Sequence, residues 1–168
     1  MRKLAALLLF LPFLAAPGLG AEAPDSAPVD LAARTFARPG GETLGLSALQ
    51  GRPVLINFWA AWCPACREEL PLLAKVHARY GKRLAFVGVA VDDNLELTGE
   101  FAKAYKVPYP VAGGKETAIA FMQALGNGKA LMPFTVILNA EGRTVFSKAG
   151  AVSEKELVAA LKALPRVP

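Results

Sequence analysis

The 168-residue chain holds only two cysteines and one histidine, and that scarcity narrows its chemistry at once. The first cysteine is Cys63, far from any N-terminal cleavage point, so a lipid-modified N-terminal cysteine is excluded. A zinc-type centre would need two ligands beyond the two thiolates. The sole imidazole, His77, stands eleven residues past Cys66 on the same predicted helix. At about 1.5 Å per residue that is about 16 Å, too far to share an ion. No apolar run reaches the roughly 20 residues of a membrane span. The longest, Leu4 to Gly20, has 17 residues and is interrupted by Pro12 and Pro17. Lysines and arginines are scattered rather than massed, which favours a solvated surface over nucleic-acid binding. Internal repeats and a second hydrophobic core are also missing, so one folded domain is expected.

What is present reads as a globular chain, with 54% apolar and 20% charged residues. Residues 1–20 stand apart: Arg2 and Lys3, then "LAALLLFLPFLAA", then small residues around Gly20 and Ala21, the layout of a cleavable export signal. An uncleaved anchor is the alternative. Taking Arg2 and Lys3 from the 19 basic residues leaves 17 against 14 acidic, a mild net charge of +3. Residues 21–28, "AEAPDSAP", read as a flexible lead-in, and 29–168 as the folded unit, its packed part ending near Leu164.

Within that unit, "RTFARPGGETLGL" predicts a β-hairpin turning at Gly40-Gly41. "PVLINFW" (53–59) and "LAFVGVAV" (84–91) are near-continuous apolar runs, as strands buried on both faces should be. A helix follows from Cys63 to Tyr80, with a kink expected at Pro71, which offers no N–H to the preceding turn. Further helices are predicted over 95–105 and 115–125, the latter stopped by Gly126-Asn127-Gly128. "FTVILN" and "TVFSKA" form a hairpin around Glu141-Gly142, and Ser153 with Glu156 makes a capping box for the last helix. Strands alternating with helices predict an α/β fold: a central mixed sheet flanked by helices.

The chemistry rests on "INFWAAWCPACREELP" (56–71). A structural bridge between Cys63 and Cys66 would close so short a loop that it would stabilise little. The remaining reading is redox. A buried strand ends at Trp59 and Cys63 opens a helix, where free N–H groups and the helix dipole stabilise a thiolate. Cys66 lies one turn on, placed to resolve a mixed disulfide, and Pro64 suits a first helical turn.

This stretch resembles the active-site segment of thioredoxin-fold thiol–disulfide oxidoreductases, and more narrowly the exported bacterial TlpA/ResA/CcmG-like branch. The resemblance extends over "LSALQGRPVLINFW", the segment after "FVGVAVD", and "MPFTVILNAEGRTV". It implies a thioredoxin-like sheet of four or five strands, an N-terminal β-hairpin and a central helical insertion. Cys63 then matches the nucleophile, Cys66 the resolving cysteine of a redox-active disulfide, and Pro133 the cis-proline beside the active-site sulfur. Without that match Pro133 would be read as a trans proline opening a strand. Met132 is expected to touch dithiol and substrate, Trp62 to shield the dithiol, and Pro64 to border the substrate; Phe134 and Trp59 are expected in the core.

One departure from thioredoxin matters. Its buried aspartate, six residues before the first cysteine, is here Asn57, which has no ionisable proton. Glu69, three residues past Cys66 on the same helical face, is the expected substitute acid/base, as in the ResA-like branch. A solvated glutamate is the competing reading, and the one expected for Glu68. Lys75, Lys82 and Arg83 are expected to be solvated. A peroxiredoxin would need threonine where Ala60 stands.

The resemblance implies an exported, periplasmic reductase of protein disulfides, free of metal and organic cofactor. It would be recharged by a membrane donor of the DsbD/CcdA kind and serve substrates such as apocytochrome c in cytochrome c maturation. An oxidase or isomerase of the same fold is the alternative, although no dimerisation segment is visible and a monomer is expected. A non-catalytic binding module is the alternative of another class, with no use for two intact cysteines.

Overall fold

In a computed structural model, residues 27–164 are described. The export-signal reading of 1–20 and the lead-in up to residue 26 lie outside the described residues, as do the last four positions. The elements run β1 (Thr35–Ala37), β2 (Thr43–Gly45), β3 (Val54–Trp59), α1 (Pro64–Tyr80), β4 (Ala85–Ala90), α2 (Leu95–Ala104), β5 (Val111–Gly113), α3 (Lys115–Ala124), β6 (Phe134–Leu138), β7 (Thr144–Ala149) and α4 (Glu154–Ala163), with a short 3-10 turn at Leu46–Leu49.

All strands join one mixed sheet in the order β2-β1-β5-β4-β3-β6-β7. The runs with least polar interruption, β3 and β4, pair in parallel at its centre, where both faces must be covered. β6 and β7 extend the sheet antiparallel on one side. On the other side β5 runs parallel to β4, and the β1–β2 hairpin closes that edge antiparallel to β5. Gly40 and Gly41, with φ of 95° and 89°, make the tight hairpin turn that a side chain would strain.

Alternation along β3 assigns the two layers. Val54, Ile56 and Phe58 pack with Phe36, Phe121 and Met122, so α3 and the hairpin cover one face. Leu55 packs with Leu73, Val76, Leu157 and Leu161, so α1 and α4 cover the other. Trp59 lies on that second face against Phe101 of α2, ring centres 5.5 Å apart.

One addition to the expected fold is needed. The segment after β4 is not only helical: it adds β5, a strand absent from the sequence reading, because three residues between Pro110 and Gly114 carry too little pattern to separate from a loop. Tertiary pairing makes the strand, and Gly113 is required there because a Cβ would stand 2.5 Å from the Ala90 carbonyl oxygen. α1 runs for 17 residues through Pro71, with Leu70, Leu73 and Val76 buried against the sheet. The capping box of α4 forms as expected, the Glu156 N–H reaching Ser153 Oγ and the Ser153 N–H reaching the Glu156 carboxylate.

Candidate active site

The sheet delivers the two cysteines to the start of α1. β3 ends at Trp59, a turn closes through a Cys63 N–H to Ala60 carbonyl bond of 3.1 Å, and Cys63 becomes the helix N-cap with Pro64 in the first turn. Cys63 and Cys66 form a disulfide, Cα atoms 5.3 Å apart. The Cys66 backbone N–H donates to Cys63 Sγ at 3.2 Å. A donor already aimed at this sulfur, at the positive end of the helix dipole, stabilises negative charge there once the bridge opens. Cys63 is 7% exposed and Cys66 1%, so an incoming molecule meets Cys63 first.

The Met132–Pro133 peptide is cis, and the Pro133 carbonyl is held by the Gly150 N–H at 2.7 Å. Met132, half-buried, packs against the cluster that contains both cysteines. Trp62 is 65% exposed and shares with Met132 a cleft of about 460 Å³, walled also by Ile119, Asp92, Asp93 and Lys115. Pro64 is exposed beside Cys63, whereas Trp59 and Phe134 are core, and Glu68, Lys75, Lys82 and Arg83 face solvent as expected.

Behind the disulfide lies a buried polar group. Glu69, one turn past Cys66, is buried rather than solvated. Its Oε1 accepts from Thr135 Oγ1 at 2.9 Å and from Asn57 Nδ2 at 3.2 Å, and Asn57 Nδ2 also donates to Thr135 Oγ1 at 3.1 Å. Burial pushes the Glu69 carboxyl up to about 7; the Thr135 hydrogen bond, the Val152 backbone amide and the Lys148 charge pull the other way but do not win. Lys148 is itself engaged by Glu156 at 2.6 Å.

Asn57 replaces an ionisable group, yet it is not idle, since it orients the carboxylate that sits over it. Thr135 escaped the sequence reading. The signal that could have found it is simple: Asn57 is the only polar residue in β3, Thr135 the only one in β6, and the two are register partners. Lone polar residues in two apolar strands must find each other or another partner.

Asn127 also went unassigned. Its side chain donates to the Leu131 carbonyl at 2.8 Å and accepts from the Leu131 N–H at 3.1 Å, pinning the segment that leads into Met132–Pro133. That leaves Leu131 54% exposed next to the cis peptide. His77 packs on Phe86 and Tyr109, ring centres 5.0 and 5.7 Å away, and no group of three or more metal-ligating side chains occurs among the described residues.

Fold and site together define a thioredoxin-fold oxidoreductase with its Cys-x-x-Cys pair at a helix start. The family model described as Redoxin matches residues 19–163, and the chain belongs to that family. Among curated relatives it is 30% identical over 120 residues to the thioredoxin-like protein YneN of Bacillus subtilis, covering 70% of this chain and 68% of that one. It is 26% identical over 140 residues to the thiol-disulfide oxidoreductase ResA of Bacillus cereus, covering 83% and 74% respectively. A solved DsbF homologue from Corynebacterium diphtheriae shares the fold, with a TM-score of 0.73 at 21% identity over 89% of this chain and 97% of that one.

Proposed function

We propose that this protein is a periplasmic reductant of protein disulfides, acting by dithiol–disulfide exchange at Cys63 and Cys66. The observation that carries the reading is Cys63, the less buried of the two cysteines, at the N-terminus of α1, with Met132 of the cis Met132–Pro133 peptide packed against the cysteine cluster and buried Glu69 one turn past Cys66. The Cys63 thiolate attacks a substrate disulfide, and one substrate sulfur leaves as thiolate. Cys66 gives its proton to the Glu69 carboxylate and attacks Cys63 Sγ. The second substrate sulfur leaves, and two electrons have passed from the dithiol to the substrate. Trp62, Pro64 and Met132 supply the apolar contact, and the backbone before Pro133 pairs with the bound chain. A membrane donor of the DsbD/CcdA kind restores the dithiol, apocytochrome c and other exported proteins are the substrates, and the protein works as a monomer exported by residues 1–20. No helix among the described residues is long and apolar enough to cross a membrane.

The test is the equilibrium reduction potential of the Cys63–Cys66 pair against glutathione. A value near about −270 mV fits a reductant that needs a donor, and a value near about −120 mV replaces this reading with the oxidase.

Asn127 carries a prediction of its own. Asn127→Ala removes both bonds to Leu131 and frees the segment before the cis peptide. The expected cost is about 1–2 kcal/mol of stability, measured by urea unfolding, because two part-buried hydrogen bonds are lost. Exchange with a protein disulfide should slow several-fold while reaction with a small disulfide stays nearly unchanged; equal slowing of both would remove Asn127 from substrate positioning.

A further inference from the structure

Five buried side-chain polar atoms among the described residues have no hydrogen-bond partner: Arg34 Nε, Asn57 Oδ1, Trp59 Nε1, Glu69 Oε2 and the Tyr109 hydroxyl. Arg34 lies on the other face of the sheet, its guanidinium 4.9 Å from the Phe121 ring centre. The remaining four belong to side chains around Asn57 and Gly88. Gly88 of β4 is the register partner of Asn57, so both project to the same face. A Cβ on Gly88 would stand 3.0 Å from Trp59 Nε1 and 3.4 Å from Tyr109 Cε2, the ring carbon adjacent to the one that bears the hydroxyl. Glu69 is hydrogen-bonded to Asn57, and its charge acts on the Tyr109 phenol. The Tyr109 segment is itself tied to β4, the Gly88 N–H donating to the Pro110 carbonyl at 2.9 Å.

The chemistry of the four atoms is complementary. Glu69 Oε2 and Asn57 Oδ1 accept; the indole N–H donates, and the phenol O–H can donate. None of the four is bonded to another, and buried polar groups in native proteins are almost always paired. One small molecule has two donors and two acceptors in tetrahedral array.

We propose that a single internal water binds over Gly88, donating to Glu69 Oε2 and Asn57 Oδ1 and accepting from Trp59 Nε1 and the Tyr109 hydroxyl. Water held by three or four such partners is a fixed part of a fold. Its role rests on the reading of Glu69 as the acid/base: a donor at Oε2 stabilises the charged carboxylate and limits the effect of burial. Gly88 is then the residue that keeps the site open, and Trp59, which packs on the cysteine cluster, is its wall toward the disulfide. The other groups bearing on Glu69 are Lys148 from β7, held by Glu156 of α4, Thr135 from β6, and the Val152 amide; His77 touches the Tyr109 ring from α1.

The experiment uses the oxidised protein, Gly88→Ala and Tyr109→Phe. Atomic-resolution diffraction should show an ordered water with those partners, and water-oxygen relaxation dispersion should count one fewer long-lived internal water in Gly88→Ala. The Glu69 carboxyl, followed by carbon NMR across pH, should bind its proton tenfold or more tightly in Gly88→Ala and shift the same way, by less, in Tyr109→Phe. Unordered density, or a Glu69 titration unchanged in both variants, overturns the site. If Gly88→Ala does not fold, the diffraction result and Tyr109→Phe decide. None of these readouts needs activity. Failure of the acid/base reading itself would appear instead as an unaltered exchange rate in Glu69→Gln, with the water still in place.

Discussion

Cys66→Ser is expected to convert turnover into capture. With the resolving sulfur replaced by a hydroxyl, the Cys63 thiolate still attacks a protein disulfide, but nothing is placed to displace the product. Cys63 is the more accessible of the two, and the Cys66 N–H that donates to its sulfur is backbone, so the substitution keeps that donor. The mixed disulfide through Cys63 should therefore accumulate to near one equivalent, seen by mass spectrometry and non-reducing electrophoresis, while steady-state reduction falls by at least about a thousandfold. Cys63→Ser should lose turnover to the same degree and capture nothing, because Cys66 is sealed beneath it. Adducts formed through Cys66 in Cys63→Ser would reverse the assignment of the two sulfurs.

Glu69→Gln should have the next largest effect, and it separates two roles by pH. The folded carboxyl titrates at about 7, above its ordinary value of 4.5, so the native state holds its proton more tightly than the unfolded chain does. Its contribution to stability is therefore fully present below about 4.5 and is lost as pH rises toward 7. Glutamine, always neutral and able to keep an oxygen toward Thr135 and Asn57, escapes that loss. The variant should match the parent near pH 4 and exceed it at pH 8, by up to about 3 kcal/mol in urea unfolding from the linkage relation. Exchange should move the other way. Above pH 7 the ionised Glu69 can take the Cys66 proton and glutamine cannot, so the resolving step should slow by roughly a hundredfold in stopped-flow measurements. Flat stability between pH 4 and 8 in the parent would mean that the carboxylate is not held in a low-dielectric site. Equal resolving rates in both proteins would end its role as base.

The α/β alternation, both hairpins, the capping box and the Cys63–Cys66 pair were legible because each is local. Apolar runs with period or continuity, paired glycines at a turn and a Cys-x-x-Cys at a helix start carry their meaning within a dozen residues. The cis peptide before Pro133 was reached through resemblance, since proline alone favours trans. Glu69 sat between two readings in the sequence; its spacing from Cys66 placed it on the right helical face but could not say whether sheet or solvent lay beyond.

What needed the tertiary structure depends on pairing across the sheet. β5 exists because β4 and β1 flank it, not because three residues prefer extended backbone. Thr135 and Asn57 are far apart in the chain and adjacent only through the β3–β6 register, which lays both beneath Glu69. Gly88 and Tyr109 join the same group from β4 and from the segment before β5. The sequence by itself determined where the two sulfurs sit, one at a helix start and one a turn later, because helix position and spacing are short-range. Only the folded sheet decided how tightly the neighbouring proton is held, because desolvation is set by everything packed around the group.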